Sequence, residues 1–291
     1  MPEQKQFSAE KGAYISIAAY LFMASVKLAI GYIGNSKGLW ADGLNNSTDI
    51  IASIAVLIGL KISKRPADED HLYGHSRAET IASLIAAFIM VTVGIQVIFN
   101  AAESFFTPNH DRPSMLTAFT ALFSALFMYG IYRYNLKLSK KIKSASIYAV
   151  AQDNRSDALV SIGAAIGILG AQIGISFLDA IAAIVVGLII CKTAWEIFKE
   201  ASHSLTDGFD ERLLQDIAET ITHTEGVEKM DGIKARMHGN EILVEAVVYV
   251  NPYLNIVEGH DITVGIEKNL KQKHDINHAI IHIEPYGPLQ K

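Results

Sequence analysis

The sequence predicts an α-helical membrane protein with six transmembrane helices, followed by a small α+β domain at the C-terminus. Half of the 291 residues are apolar and the mean hydropathy is +0.25, which is high for a soluble domain. From Asp207 onward the composition changes to 15 Asp and Glu against 8 Lys and Arg, with six of the ten histidines. We therefore expect a membrane domain at 1–206 and a soluble domain at 207–291.

Six stretches come close to the roughly 20 apolar residues that a membrane span requires. The second and fifth stretches carry charged residues, Asp49 in one and Asp153, Arg155 and Asp157 in the other. The remaining four read as clean spans. The six predicted spans are 14–34, 39–60, 81–105, 115–134, 145–170 and 177–198.

Lysine and arginine in the short loops predict the orientation of these spans. The second and fourth loops are rich in both, whereas the first, third and fifth together offer only Lys37 and Arg112. We expect both termini and the even-numbered loops to be cytosolic, in a multi-pass protein of the cell membrane with the lipid bilayer as its surroundings.

The soluble segment shows the patterns of two helices and three strands in the order αββαβ. We predict helices at 212–223 and 256–271 and strands at 226–237, 242–250 and 279–284. His238, Gly239 and Asn240 are typical of a hairpin turn between the first two strands. This order predicts a small sandwich with both helices on one face of the sheet.

Several functional classes lack their residues in this chain. The single cysteine, Cys191, excludes an intramolecular disulfide and a cysteine-rich metal site, so metal ligands must be oxygen or imidazole nitrogen. The net charge of −5 argues against nucleic-acid binding. The sequence has no His-Glu-x-x-His helix, Gly-x-Ser-x-Gly elbow or Walker A loop, so we expect neither an enzyme nor a P-loop pump, and no organic cofactor.

Two pairs of oxygen ligands interrupt the second and fifth spans. Asn45 and Asp49 are four residues apart, as are Asp153 and Asp157, so each pair lies on one helix face. An ionisable residue at mid-membrane costs roughly 2.5–3.5 kcal/mol, and such residues therefore face a partner or a water-filled path. Two helices that present these pairs can meet around one divalent cation, which offsets the repulsion among the carboxylates. We call these four residues the oxygen tetrad.

Other readings exist for the residues around the tetrad. Asp153, instead of binding metal, could form an ion pair with Arg155 or Lys143 near the cytosolic end of the fifth span. Asp42, which with Asn46 lies close to the tetrad in sequence, is either a further ligand or an N-terminal helix residue favoured by the helix dipole.

The loop after the second span carries a second candidate metal site. Asp68, His71 and His75 fall within eight residues, and three mixed nitrogen and oxygen ligands on a short loop suit a zinc-like or manganese-like ion. A solvated acidic loop that caps the third span is the alternative.

A third candidate set lies in the soluble domain. His260 opens the second predicted helix, while His282 and Glu284 alternate on one face of the last strand and Asp231 belongs to an earlier strand. Scattered surface histidines are the alternative reading.

The chain resembles the cation diffusion facilitators over essentially its whole length. The resemblance implies a homodimeric transporter that exchanges a divalent metal for protons at the oxygen tetrad. It also implies a ferredoxin-like cytosolic domain that binds metal at the dimer interface. The shared motifs are Asp42-Gly-x-Asn45-x-x-x-Asp49, Asp153-x-x-x-Asp157, Pro66-Ala-Asp68-x-x-His71-x-x-Gly-His75 followed by Glu79, and His282-x-Glu284.

The same resemblance implies roles for residues outside the tetrad. Asp68, His71 and His75 match the loop metal site. His260, His282 and Glu284 match the cytosolic site, in which Asp231 stands where zinc-type members often have histidine and Val247 stands where they can have a ligand. Arg77 and Asp207 match positions that pair charges between the two domains, so we expect a salt bridge there.

The ligand types predict which metal is carried. The tetrad holds one amide and three carboxylates without imidazole, and such all-oxygen sites suit Mn²⁺, whereas imidazole favours Zn²⁺, Co²⁺ and Ni²⁺. The pattern is also similar to that of the manganese subgroup of the family. We therefore expect a Mn²⁺/H⁺ antiporter that exports its metal substrate. The alternatives are a Zn²⁺ exporter, or one for Fe²⁺ or Co²⁺, and more remotely a membrane-anchored metal sensor.

Alternating access is the expected mechanism. The tetrad loads metal from the cytosolic side, where the loop site concentrates it, and the helices then rock to open outward. Protons from outside compete for the three tetrad carboxylates and eject the ion.

Overall fold

The computed structural model describes residues 2–34, 37–106, 114–172, 177–239 and 241–287. The chain forms two compact units, Met1–Ala201 and Ser202–Lys291. The first consists of helices and the second contains a sheet. Each unit is described by itself below, and the predicted boundary between 206 and 207 stays a prediction.

The described residues of the first unit form six long helices, the last of which continues to Leu205. The first four helices, α1 to α4, are long and apolar enough to cross a bilayer. Their candidate spans are Ala9–Ile33, Asp42–Ile62, Ala78–Glu103 and Met115–Ile142. The fifth and sixth predicted spans also form long helices, but neither qualifies as a span within the described residues. The helix bounds are Pro2–Ile33 (α1), Lys37–Ile62 (α2), Ala78–Phe106 (α3), Met115–Ile142 (α4), Ala145–Gln172 (α5) and Phe177–Leu205 (α6).

Small residues let these helices approach one another closely, as is common between helices in membranes. A Cβ atom added to Gly31 of α1 would lie 2.7 Å from the backbone nitrogen of Trp40 in α2. A Cβ atom on Gly94 of α3 would lie 2.7 Å from Cys191 Sγ in α6. α1 packs along α2 and α4 along α5, and α1 and α2 both also touch α5. These contacts bring polar residues of three helices together.

The first stretch qualifies as a candidate span, as predicted, but it contains a charged residue and is therefore not free of charge. α1 contains Lys27, whose side chain is fully buried, and it forms an ion pair with Asp42 of α2. Hydropathy averaged over the span conceals a single lysine among many apolar residues.

The second unit has the predicted element order αββαβ. Antiparallel β1 and β2 are followed by β3, which pairs in parallel with β2, so β2 is the central strand. The parallel connection runs through α8, which begins with a capping box formed by Asn255 and Glu258. The bounds are Glu211–Thr222 (α7), Lys229–His238 (β1), Glu241–Val250 (β2), Ile256–His274 (α8) and His278–Pro285 (β3).

Alternate residues of β2 face a single core. The same buried cluster contains residues of both helices, namely Ile217 and Ile221 of α7 and Ile266 and Leu270 of α8. Both helices therefore cover the same face of the sheet, as predicted. Gly239 adopts φ 62° in the predicted hairpin turn, and Asn240 lies outside the described residues. The buried β2 residues are Val244, Ala246, Val248 and Val250.

Candidate metal centre

The oxygen tetrad occupies facing parts of α2 and α5. Asp49 and Asp157 are almost completely buried, with exposures of 1% and 3%, while Asn45 and Asp153 are partly buried. Asn45 Nδ2 donates to Asp49 Oδ2 at 3.4 Å, as expected for residues one turn apart on one face. The two helices thus present buried carboxylates toward each other, which requires compensation by hydrogen bonds or a cation.

Asn46 joins the two pairs across the helix interface. Its side chain is fully buried, and its Nδ2 donates to Asp49 Oδ2 at 3.1 Å and to Asp157 Oδ1 at 3.3 Å. Asn46 Oδ1 and Asp157 Oδ2 are buried oxygens without a hydrogen-bond partner in the described part of the chain. Buried polar atoms are normally paired. Two such oxygens, one of an amide and one of a carboxylate, fit a site in which a cation is the further partner.

From the sequence, Asn46 was predicted only to be a neighbour of the tetrad. The available signal was its spacing, because Asn46 lies three residues before Asp49 and therefore near the same face. Spacing alone could not show that Asn46, rather than Asn45, donates a hydrogen bond from α2 to α5.

Asp153 is held by a tyrosine of α1 rather than by a basic residue. Tyr20 Oη donates to Asp153 Oδ2 at 2.9 Å and accepts from Asn154 Nδ2 at 2.6 Å. Arg155 is exposed and its Nη1 donates to Gln152 Oε1 at 3.4 Å. Within the described residues, neither alternative partner, Arg155 or Lys143, forms an ion pair with Asp153.

A buried polar network continues from Tyr20 to α4. Asn154 Oδ1 accepts from Ser16 Oγ at 3.1 Å and from Asn135 Nδ2 at 3.0 Å. Asn135 Nδ2 also donates to Ser16 Oγ at 2.8 Å. Asp153 is therefore anchored through side chains of α1, α4 and α5, which restricts its rotamers. The sequence contains no sign of this network, because Ser16 and Tyr20 lie singly in an apolar helix and Asn135 follows the predicted fourth span among basic residues.

Asp42 is paired within the first unit. Lys27 Nζ lies 2.8 Å from Asp42 Oδ2, and both side chains are buried. In this arrangement the lysine, rather than the helix dipole alone, compensates the carboxylate.

The loop residues form the tightest potential metal site in the described part of the chain. Asp68, His71 and His75 each offer a ligand atom that lies within 4.8 Å of the other two. Among the described residues, no other group of three or more His, Cys, Asp or Glu side chains meets this spacing. The three tetrad carboxylates are more widely spaced than this. They consequently need a helix or side-chain movement to close around one ion.

Hydrogen bonds within the loop hold its ligands in place. Asp68 Oδ1 accepts from the His71 backbone N–H at 2.7 Å, and this bond holds the pKa of the Asp68 carboxyl below its usual range. Asp68 Oδ1 also lies 3.1 Å from His71 Nδ1, and Asp68 Oδ2 lies 3.4 Å from His75 Nε2. An ionised Asp68 between two imidazoles is suited to a divalent cation.

Glu79, the last residue of the loop motif, ties the start of α3 to the start of α5. Its Oε1 accepts hydrogen bonds from Ser144 Oγ and Ser146 Oγ, the second at 3.2 Å. The motif thus includes a structural contact as well as candidate ligands.

The third candidate set is only partly assembled. His282 Nε2 lies 2.8 Å from Glu284 Oε1 on β3, and both side chains are exposed. His260 is exposed on α8, and Asp231 is the extra residue where the β1–β2 register shifts. Val247 of β2 pairs with His282. The structure does not bring three ligands of this set within 4.8 Å of one another.

Arg77 and Asp207 belong to different units, so their predicted salt bridge stays a prediction. Within the second unit, Asp207 Oδ2 lies 3.6 Å from Arg236 Nη1.

Comparison with known proteins matches nearly the whole chain. Residues 13–206 match the cation efflux transmembrane domain and residues 209–286 match the cytoplasmic domain of cation efflux proteins. The chain is 54% identical over 276 residues to the manganese efflux system protein MneS of Bacillus subtilis, covering 95% of each chain. It is 50% identical over 276 residues to the uncharacterized transporter YdbO of the same organism, again covering 95% of each.

A more distant relative also aligns over its full length. The manganese efflux system protein MneP of Bacillus subtilis is 33% identical over 299 residues, which is 98% of this chain and 99% of MneP. The members of this family are transporters and not enzymes. With both domains matched in order, the chain belongs to the cation efflux family, the family that its sequence motifs resemble.

Proposed function

We propose that this transporter exports Mn²⁺ in exchange for protons. The observation that carries the proposal is the set of side chains that α2 and α5 present to each other in the oxygen tetrad, which offers three carboxylates and one amide as metal ligands. Carboxylate and carbonyl ligands suit Mn²⁺, while imidazole suits zinc. The names of the relatives MneS and MneP support the same metal.

The proposed transport ligands are Asn45, Asp49, Asp153 and Asp157. The unpaired Asn46 Oδ1 supports a cation in their midst, and the amide nitrogen of Asn46 lowers the repulsion between Asp49 and Asp157 when no metal is bound. Because the carboxylates are spread over α2 and α5, a rocking of these helices would change their spacing and hence their affinity for metal.

Protons are the proposed counter-substrate. When the tetrad opens outward, protons bind its three carboxylates and weaken their hold on the ion. On return, the protons leave to the cytosol and metal binds again. This exchange keeps the net charge buried between α2 and α5 nearly constant, which reduces the cost of moving these residues through an apolar environment.

We propose that all six helices cross the cell membrane, with both termini in the cytosol. The two carboxylates of α5 face α1 and α2 rather than lipid, as the hydrogen bonds of Asp153 and Asp157 indicate, so mean hydropathy underestimates the tendency of this helix to span the membrane. The soluble domain, 207–291, would be a ferredoxin-like unit that forms a homodimer.

Two further metal sites are part of the proposal. Asp68, His71 and His75 would gather metal at the loop, where they already lie close together. Asp231, His260, His282 and Glu284 would bind metal in the cytosolic domain once a partner subunit supplies further ligands. The Arg77–Asp207 salt bridge would connect the two domains.

Metal flux into proteoliposomes tests the proposal. Mn²⁺ and Zn²⁺ uptake would be compared under a proton gradient for the wild type and Asp157→Ala. Glu196→Ala is the matched control, because it removes an exposed carboxylate from α6 and leaves the α2–α5 interface intact. We expect proton-driven Mn²⁺ flux in the wild type and the control, and none in Asp157→Ala.

Other outcomes would favour the alternatives. Flux of Zn²⁺ without Mn²⁺ would keep the transporter but overturn the metal. Flux of neither metal, with the protein correctly folded, would favour a membrane-anchored sensor. Retained proton-coupled Mn²⁺ flux in Asp157→Ala would refute the tetrad.

A further inference from the structure

A buried lysine of α1 lies among oxygen atoms close to the tetrad. The Lys27 side chain is fully buried, its Nζ lies 2.8 Å from Asp42 Oδ2, and it donates to Ser161 Oγ at 3.1 Å. Ser161 Oγ in turn donates to Asp42 Oδ2 at 3.3 Å. The three side chains come from α1, α2 and α5, so this is an assembled polar site within the helix bundle.

The site lies on the same interface as the tetrad, displaced toward the α1–α2 connection. Asp42 precedes Asp49 by seven residues on α2, a separation of about 10 Å along the helix axis. Ser161 follows Asp157 by four residues on α5, or about 6 Å. Asn46, which contacts the tetrad carboxylates, stands between the two levels.

Close helix packing brings the lysine into this position. A Cβ atom on Gly43 would lie 2.9 Å from the Leu28 backbone nitrogen and 3.1 Å from Lys27 Cβ. Only glycine at position 43 allows α1 to lie this close to α2. The sequence thus provides both the charge and the space for it.

The ligands around the ammonium are those of a cation site. Asp42 Oδ2 and Ser161 Oγ contact it, and Asp42 Oδ1 is buried without a hydrogen-bond partner among the described residues. A buried ion pair is often no more stable than an apolar pair of similar volume, so stability alone does not account for it. Carboxylate and hydroxyl oxygens are also hard ligands for divalent ions.

We infer that the Lys27 ammonium is a tethered cation that holds a second oxygen-lined position beside the transport site and keeps a divalent ion out of it. This inference rests on the proposed transport of Mn²⁺ through the tetrad. Lys27 satisfies Asp42 with one positive charge that cannot leave. The α2–α5 interface then carries one divalent ion per protomer, and the departing ion is not trapped at Asp42.

Metal binding to the full-length protein in detergent tests this inference. Bound Mn²⁺ per protomer would be measured by equilibrium dialysis for the wild type, Lys27→Met, Lys27→Arg and Lys27→Met/Asp42→Asn. Lys192→Met is the matched control, because it removes an exposed lysine from α6. Loop and cytosolic sites are common to all variants and cancel in the differences.

We expect Lys27→Met to bind about one Mn²⁺ per protomer more than the wild type, since Asp42 and Ser161 become free to bind metal. Lys27→Arg, the double variant and the control should bind as the wild type does. Unchanged binding in folded Lys27→Met would overturn the inference. Asp157→Ala, measured alongside, should lose one Mn²⁺; if it does not, the proposed transport site fails instead.

Thermal unfolding with and without Mn²⁺ covers the case in which Lys27→Met folds poorly. The inference expects Mn²⁺ to restore its melting temperature toward the wild-type value, because the metal takes the place of the ammonium. If Lys27→Met stays unstable with Mn²⁺ while the uncharged double variant is stable, the pair is only structural and the inference is wrong.

Discussion

Replacing Tyr20 by phenylalanine isolates one hydroxyl that supports the tetrad. The Tyr20 hydroxyl donates to Asp153 Oδ2 at 2.9 Å and accepts from Asn154 Nδ2 at 2.6 Å. Phenylalanine keeps the ring in its buried position and removes both hydrogen bonds. Asp153 then loses a donor, and Asn154 keeps a buried N–H with one partner fewer.

The loss of these two hydrogen bonds should change both the stability of the protein and its affinity for Mn²⁺. A hydrogen bond to a charged group contributes about 1.5–3 kcal/mol, and an unsatisfied buried donor costs about 1–3 kcal/mol. Taken together, these two contributions lead us to expect that Tyr20→Phe lowers the free energy of unfolding by about 2.5–6 kcal/mol. Partners that orient metal ligands typically affect metal affinity by about 10–100-fold. The Kd for Mn²⁺ at the tetrad should rise by a factor in that range.

Calorimetric titration with Mn²⁺ and thermal unfolding measure the two effects separately. Tyr129→Phe, an exposed tyrosine of α4, is the control for removing a phenol oxygen from the membrane unit. A Kd for Tyr20→Phe within about twofold of the wild-type value would refute the reasoning, because side chains that hydrogen-bond and orient metal ligands have larger effects. An unchanged Kd would mean that Tyr20 supports folding and not the metal site.

Three further substitutions test other parts of the structure. Gly43→Ala should lower the free energy of unfolding by about 1–3 kcal/mol, measured by thermal denaturation, because its Cβ would lie 2.9 Å from the Leu28 backbone nitrogen. Asn45→His should raise the Zn²⁺:Mn²⁺ transport ratio on the order of tenfold in proteoliposomes, since imidazole favours zinc. Asp68→Asn should weaken Zn²⁺ binding at the loop in equilibrium dialysis, while its remaining Oδ1 still accepts from the His71 backbone.

Gly130→Ala on α4 is the control for Gly43→Ala, because among the described residues no atom beyond the helix's own nearby backbone lies within 4 Å of the added Cβ. Equal stability of both variants would contradict the packing argument. An unchanged metal preference in Asn45→His would mean that neighbours such as Asn46 set selectivity. Loop binding that survives in Asp68→Asn but fails in Asp68→Ala would show that Asp68 acts through the loop fold and not through its charge.

Local patterns predicted much of the fold and part of the candidate site. The order αββαβ followed from periodicity and turn residues, and Asn45 and Asp49 share a helix face because four residues make about one turn. The loop cluster of Asp68, His71 and His75 was also predictable, since three ligand residues within eight positions of one short loop need only a local turn to come together. The fifth span was harder to recognise, because its buried charges lower its hydropathy.

The sequence by itself determined the elements, the family and the carboxylates available to a cation, since these depend on local spacing and on motifs. Only the tertiary structure decided which side chains hold those carboxylates. Asn46 bridges Asp49 and Asp157, and Tyr20 of α1 anchors Asp153. Lys27 pairs with Asp42 because Gly43 lets two helices meet. Such partners lie on different helices, and no spacing along the chain specifies which faces of those helices come into contact.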